Sequence, residues 1–470
     1  MLKFGNKPKK TVDFTSGPLF VQYLRFALAI LVSSLAQSLY NTADRIIIGR
    51  YSGDPNALAS MAATGTLSIM LINTITALSV GATITLARAH GKKDSEEISG
   101  FLHTALTFAF LAGLVSGIVG QFISMPLLNF LDTKPELVDN AAAYIRIIFM
   151  GLPFAALFSF SDIALRARGQ GAKSSAVIVM SGILNVVLNI LFVSVFNMTV
   201  KGVAIATVMS QAFSAVANLI LLYRDEESIA FRFKRIHINP KRLGEIVKIG
   251  APSSVNAIVT SVASMVTVSA FNSLPLDVIR ADAAAGSAVT IFNLTTTAFT
   301  CSAITVVVAQ NVGARNYKRI RSTIAYASVV ISAIALIFIP TYLIFSETVI
   351  SLFFDSSLEN FGEIVSLARP IFIPLMANVV LSGFVTIIAS TSRAIGHPVT
   401  PLVISFVALS FNVSWCLFVF PHYGTPIMYY LYIPISVTLE LIIHVITNSI
   451  YRARLKKEFS KDPVPTATPA

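Results

Sequence analysis

Apolar runs of roughly twenty residues and more recur along the whole chain, separated by short polar segments. A helix needs about 20 apolar residues to cross a bilayer. Twelve such spans can be drawn, at approximately 20–49, 57–88, 99–124, 142–167, 174–196, 202–223, 248–271, 283–310, 322–345, 367–392, 398–420 and 426–450. Several are longer than crossing requires, so tilt or extension into water is expected. Only helices and closed barrels satisfy their backbone groups in lipid. The pattern therefore predicts an all-α polytopic membrane protein.

One polar interruption is much longer and more charged than the others. It covers residues 224–247 and separates two sets of six spans, which predicts an N-terminal lobe (1–223), a linker loop (224–247) and a C-terminal lobe (248–470) with a basic tail. An even number of spans per half makes both halves enter the membrane in the same sense. The halves also repeat motifs. Gly91-Lys92-Lys93-Asp94 after the second span matches Gly313-Ala314-Arg315-Asn316 after the eighth, at an offset of 222. Arg166-Ala167-Arg168-Gly169 with Asn185 matches Arg393-Ala394-Ile395-Gly396 with Asn412, at an offset of 227. Gly91 and Gly313 are expected to end their helices as left-handed caps, with cations beyond them facing the helix dipole. Parallel repeats place a substrate site between two lobes near the membrane midplane.

Composition supports the membrane assignment. Of the 470 residues 55% are hydrophobic and 12% charged, against about 25% charged in soluble domains. The net charge of +12 would fit a nucleic-acid partner, but the loops account for it. With the N-terminus inside, 27 Lys and Arg fall in inside segments, beginning with Lys3, Lys7, Lys9 and Lys10, against five in outside segments and three within spans. The positive-inside rule then puts both termini and the 224–247 loop in the cytoplasm, and no nucleic acid is expected. The first apolar run is too long for a signal peptide, so no cleavable signal is expected. Cys301 and Cys416 lie in apolar runs without metal-ligand spacing.

Candidate chemistry is sparse. No catalytic constellation and no P-loop is present, so the chain is not read as an enzyme or as ATP-driven. Asp44 stands near the end of the first span. A carboxylate at a helix centre costs about 2.5–3.5 kcal/mol on insertion scales, so such residues mark ion pathways or paired sites. The competing reading is a local pair with Arg45. Asn185 and Asn189, at i and i+4, share a face of the fifth span, and Thr207 lies in the sixth. If these helices meet, Asp44, Asn185, Asn189 and Thr207 form an oxygen-rich pocket, the ligand type that hard cations favour. The plain alternative for the two Asn is interhelical hydrogen bonding, and for Thr207 routine packing. Asp162 precedes Arg166 by four residues and reads as a local ion pair. Glu440, with His444 one turn on, reads as a satisfied pair before a proton relay.

These residues, in this order, resemble the multidrug and toxic compound extrusion (MATE) transporters. The resemblance rests on Asn41-Thr42-Ala43-Asp44, the two Gly motifs, Arg166-Ala167-Arg168-Gly169, Asn185 with Asn189, and Gly202-Val203-Ala204-Ile205-Ala206-Thr207, and covers about residues 15–455. It implies two six-helix lobes around a central cavity and cation-coupled export of amphipathic, often cationic compounds. It also implies an N-lobe proton or sodium site at Asp44, Asn185, Asn189 and Thr207. Three departures stand out. Asn189 replaces a common second Asp, the seventh and tenth spans hold no Asp or Glu, and no proline lies between Leu19 and Tyr51 to bend the first helix. With one carboxylate left, a proton is the expected coupling ion and Na+ the alternative. The expected protein is a monomeric plasma-membrane antiporter without a cofactor. A flippase for a lipid-linked saccharide is the second reading; it would call for cavity cations, with Arg25, Arg45 and Arg146 the N-half candidates.

Overall fold

The computed structural model describes residues 12–461 apart from 55, 131–132, 227, 352–360 and 424–425. Lys3, Lys7, Lys9 and Lys10, counted in the charge bias, lie outside the described residues. Among the described residues twelve long helices dominate: α1 (Leu19–Tyr51), α2 (Ala57–Lys92), α3 (Ser95–Phe130), α4 (Pro135–Ala167), α5 (Gly171–Asn189), α6 (Thr199–Tyr223), α7 (Pro240–Phe271), α8 (Leu276–Gly313), α9 (Tyr317–Ile344), α10 (Phe361–Ala394), α11 (Val399–Tyr423) and α12 (Pro426–Lys461). Each contains a stretch apolar and long enough to cross a membrane. Three carry a π-helical turn: α5 runs into one at Ile190–Val195, α8 contains Ala298–Ser302, and α11 contains Trp415–Val419.

The helices overrun the apolar spans because their end turns are charged. Pro240 starts α7 with its missing N–H at a position that has no intrahelical partner. Asn239 caps it, accepting from the backbone N–H of Lys241 and Arg242. The linker is therefore shorter than hydropathy indicates. Extension also brings Glu245 and Glu363 into the ends of α7 and α10, although the 248–271 and 367–392 stretches remain free of acids.

Packing repeats with the sequence. In the first six helices α1 packs on α5, α2 on α4, α3 on α4, α4 on α6 and α5 on α6. In the second six α7 packs on α11, α8 on α10, α9 on α10, α10 on α12 and α11 on α12. The first set thus recurs six helices later, giving two lobes related by a parallel repeat. Between lobes, α2 lies against α7 and the last turns of α8, and α1 against the π turn of α8.

This seam explains the two repeated glycines, and corrects the cap reading. Neither has a positive φ; the left-handed residues are Lys93 (φ 59) and Arg315 (φ 54), two places further on in each repeat. A Cβ on Gly91 would overlap the Gln310 carbonyl, and a Cβ on Gly313 would overlap the Arg88 carbonyl. Residues 88 and 310 are themselves 222 apart, so the contact is reciprocal, as at a two-fold interface. The glycines let two helix backbones approach, as small residues do in membrane packing. The caps follow in register: Asp94 accepts from the Glu96 and Glu97 N–H groups, and Asn316 from that of Arg319.

The seam is one-sided. Gly81 faces Ile246 and Gly250 backbone, and Gly250 faces the Leu78 carbonyl. Arg88 Nη2 donates to the Ala394 carbonyl at 2.7 Å, and Tyr23 to that of Phe299. Ahead of α1, Phe14 is fully buried between the lobes; Arg319 donates to the carbonyls of Phe14, Ser16 and Gly17. All lie toward the face that carries the basic loops. Among the described residues, the lobe-crossing hydrogen bond furthest from that face is Ser254 to the Thr74 carbonyl, at the middle of α7 and α2. Beyond that level no hydrogen bond among the described residues ties the lobes together.

Candidate functional site

Asp44 lies seven residues before the end of α1 and is 8% exposed. The packing of α1 on α5 brings it to Asn189, which is fully buried one residue before the π turn. Asn189 Nδ2 donates to Asp44 Oδ1 at 2.5 Å and to Asn185 Oδ1 at 3.1 Å. The i, i+4 spacing of the two amides on α5 makes this chain possible. Across α5 and α6, Asn185 and Thr207 line one small cavity together with Tyr40, Ser181, Ser210 and Gln211. Its volume is about 20 Å3, room for one water or one small ion. The structure thus brings Asp44, Asn185, Asn189 and Thr207 into one continuous polar cluster.

Three atoms of that cluster are buried without a hydrogen-bond partner among the described residues: Asn185 Nδ2, Asn189 Oδ1 and Thr207 Oγ1. Buried polar atoms are normally satisfied, so orphans that gather in one place call for an account. Arg45 does not supply it. It is exposed, and no ion pair joins it to Asp44 among the described residues. A buried carboxylate hydrogen-bonded to an amide and held in no ion pair is suited to a proton or a cation. Oxygens from Asp44, Asn189 and Thr207 suit a hard monovalent ion, and rotation of either amide exchanges its oxygen for its nitrogen. No group of three or more His, Cys, Asp or Glu gathers among the described residues, so the donor set suits neither zinc nor a divalent hard cation.

The other candidates lie elsewhere. Asp162 pairs with Arg166 Nε at 2.8 Å and accepts from Ser174, away from the cavity. Glu440 accepts from Ser405 Oγ at 2.9 Å, with His444 Nε2 3.8 Å from it. His444 is fully buried and neither ring nitrogen has a hydrogen-bond partner among the described residues. Arg146, a candidate cavity cation, donates to Ser124 on α3 at 3.1 Å. Sequence reasoning missed Tyr40 and Gln211 in the cavity wall. Tyr40 precedes Asp44 by one turn, and that spacing was the available signal. It also missed Asp282, which sits within α8 and accepts a hydrogen bond from Tyr430.

The MatE family model matches residues 29–191 and again residues 252–418. The chain belongs to the MatE family. The two matches begin 223 residues apart and end 227 apart, one on each lobe, in agreement with the motif offsets. MatE proteins are membrane transporters and not enzymes, and this chain is a multi-pass member. It is 24% identical over 408 residues to the probable multidrug resistance protein YoeA of Bacillus subtilis, covering 85% of this chain and 86% of that one. It is 23% identical over 264 residues to the multidrug export protein MepA of Staphylococcus aureus, covering 55% and 57%. A structure described as the outward-facing conformation of a multidrug resistance MATE family transporter superposes with a TM-score of 0.86 at 21% identity, covering 96% of this chain and all of that one. That likeness speaks to the fold, and the MatE fold is the one built above.

Proposed function

We propose that this protein exports amphipathic, often cationic compounds across the plasma membrane by alternating access, driven by a cation that loads at Asp44. The observation that carries the reading is the buried Asp44–Asn189–Asn185 chain, with Asn189 Oδ1 and Thr207 Oγ1 unpaired and no ion pair to Asp44 among the described residues. Kinship with MatE transporters, and with proteins named for multidrug resistance and export, supports the substrate class.

With the basic face in the cytoplasm, the close lobe contacts of the conformer described lie on its inner side. Loading a proton or Na+ from outside neutralises Asp44 and changes what Asn189 is bonded to. Because α1 carries both Asp44 and contacts to the π turn of α8, a shift of α1 against α5 reaches the seam. Loading is read as favouring release of substrate outward, and ion release inward as resetting the seam. One carboxylate with neutral oxygens serves a proton better than a metal ion, which competes with its own hydration. The proton is therefore the coupling ion proposed, with the protein acting as a monomer and both termini inside.

The test is efflux of a cationic dye from proteoliposomes under proton and sodium gradients imposed separately. Dye movement against its gradient under a pH gradient alone supports the reading. Failure under both gradients overturns it. Labelling of cysteines placed in 228–239 only from the inside checks the orientation.

A further inference from the structure

The C-terminal lobe holds a carboxylate that the coupling scheme does not use. Asp282 is half-buried in α8 and accepts from the Tyr430 hydroxyl at 2.5 Å. No Lys, Arg or His forms an ion pair with it among the described residues; Arg280, two places before it, is bound to Asp277 at 3.2 Å. An aromatic cluster centred on Tyr429 adjoins that hydrogen bond through Tyr430. Tyr429 lies 5.3 Å from Tyr430, 5.6 Å from Tyr432, 5.2 Å from Phe271 and 5.7 Å from Phe420, centroid to centroid. The Tyr429 hydroxyl donates to the Thr267 carbonyl at 3.3 Å, which fixes this cluster against α7.

One turn further along α8, Gly286 opens a cavity of about 240 Å3 between α8 and α10. Its polar lining is Thr290 and Asn293 from α8 and Asn378 from α10. Asp282, Gly286, Val289 and Asn293 fall on one face of the helix, at i, i+4, i+7 and i+11. On that face Asn293 is exposed, and Thr290 beside it is exposed too; such polar positions belong against water between the lobes and not against lipid.

A carboxylate in such surroundings needs more compensation than one phenol supplies. Aromatic faces attract a positive charge that is weakly hydrated, and organic ammonium and phosphonium ions are of that kind. A bare metal ion would find one carboxylate and few further oxygens. We propose that Asp282, the Tyr429–Tyr430–Tyr432 cluster and the adjoining α8–α10 cavity form a docking site for the positive head of an organic cation, distinct from the Asp44 chain. The proposal rests on the export reading above and names where that substrate is held.

The experiment is equilibrium dialysis of the full-length protein in nanodiscs, without a gradient, against tetraphenylphosphonium and its near-isosteric anion tetraphenylborate. Asp282→Asn should weaken phosphonium binding by about tenfold or more and leave borate binding unchanged or stronger. Asp282→Glu should retain most of the phosphonium affinity. Tyr430→Phe keeps ring and charge and removes only the donor, so phosphonium binding should be kept or tightened. Phosphonium affinity unchanged in Asp282→Asn overturns the proposal, as does equal loss of both ions, which marks a structural role. If Asp282→Asn does not fold, a Tyr430→Phe protein that folds but loses phosphonium overturns it instead. Wild type that binds and exports the cation yet ignores Asp282 fails this proposal alone. Wild type that neither binds nor exports it fails the export reading as well.

Discussion

In α5 the residues ahead of the π turn are Asn185 and Asn189; in α11 the places 227 residues on hold Asn412 and Cys416. The backbone device is the same. π turns interrupt regular helices at functional positions in many proteins, and here both lobes keep one at this place in the repeat. The neighbours differ. Beside α5, α1 offers Asp44. Beside α11, α7 offers no acid between Ile246 and Phe271. The C-terminal lobe instead puts its inner carboxylates on α8 and α12, at Asp282 and Glu440, next to tyrosines and a histidine. Duplication preserved helix packing, which depends on small residues and register, and left the polar side chains free to diverge. The small cavity of one lobe lies beside a buried carboxylate and two amides, and the larger cavity of the other lies one turn from a carboxylate bonded to a tyrosine.

The strongest way to break this contrast is Asp44→Asn. The amide keeps the size of the carboxylate and a hydrogen-bond link to Asn189, so the protein should insert and fold. Gradient-driven export should fall to background in proteoliposomes. Wild-type export would move the coupling site out of the N-terminal lobe. Next come Gly91→Val and Gly313→Val, which address what the lobes share. Each added side chain overlaps a carbonyl of the opposite lobe, an overpacking that costs about 1–3 kcal/mol. Both should shift the protein toward the conformer parted at the basic face, to a similar extent, read as spin-label distances across that face. A large difference between the two would deny the reciprocal seam.

Much of this architecture was legible in the sequence, because hydropathy reports helix length. The repeat was legible because its offsets survive in Gly91/Gly313 and Asn185/Asn412. Rotation of a helix about its axis was not. That is why Tyr40 and Gln211 escaped notice while Asp44, a rarer residue in such a place, did not. Asp282 was missed because hydropathy began the eighth span at 283, just past the charged first turns of α8. The glycine role was misread because a Gly near a helix end fits either a left-handed cap or a close approach. The backbone angles of the two glycines and the contact of Gly91 with Gln310 decide between them.

A smaller effect is expected from Asn189→Asp, which restores a second carboxylate beside Asp44. Two anionic ligands hold a monovalent metal more strongly than one in a poorly solvated site. Sodium binding, measured by titration of the purified protein, should tighten by about tenfold relative to wild type. If wild-type transport already runs on sodium alone at fixed pH, the amide oxygens suffice and the proton assignment falls.

The smallest effect, and the finest discrimination, lies with Thr207→Val. The two side chains have nearly the same shape, but the hydroxyl of Thr207 is buried with no partner among the described residues. An unsatisfied buried hydroxyl costs about 1–3 kcal/mol, so its removal should leave the ion-free protein equally stable or raise its melting temperature slightly. A proton at Asp44 does not need the hydroxyl, whereas a sodium ion beside Asn185 and Asn189 would lose one of its few neutral oxygens. Proton-driven export should therefore stay within about twofold of wild type, while any sodium-dependent rise in melting temperature should vanish. Loss of proton-driven export to the extent seen in Asp44→Asn would place Thr207 on the proton's own path. A stabilising effect of sodium that survives the substitution would place the metal, if one binds, outside the cavity shared by α5 and α6.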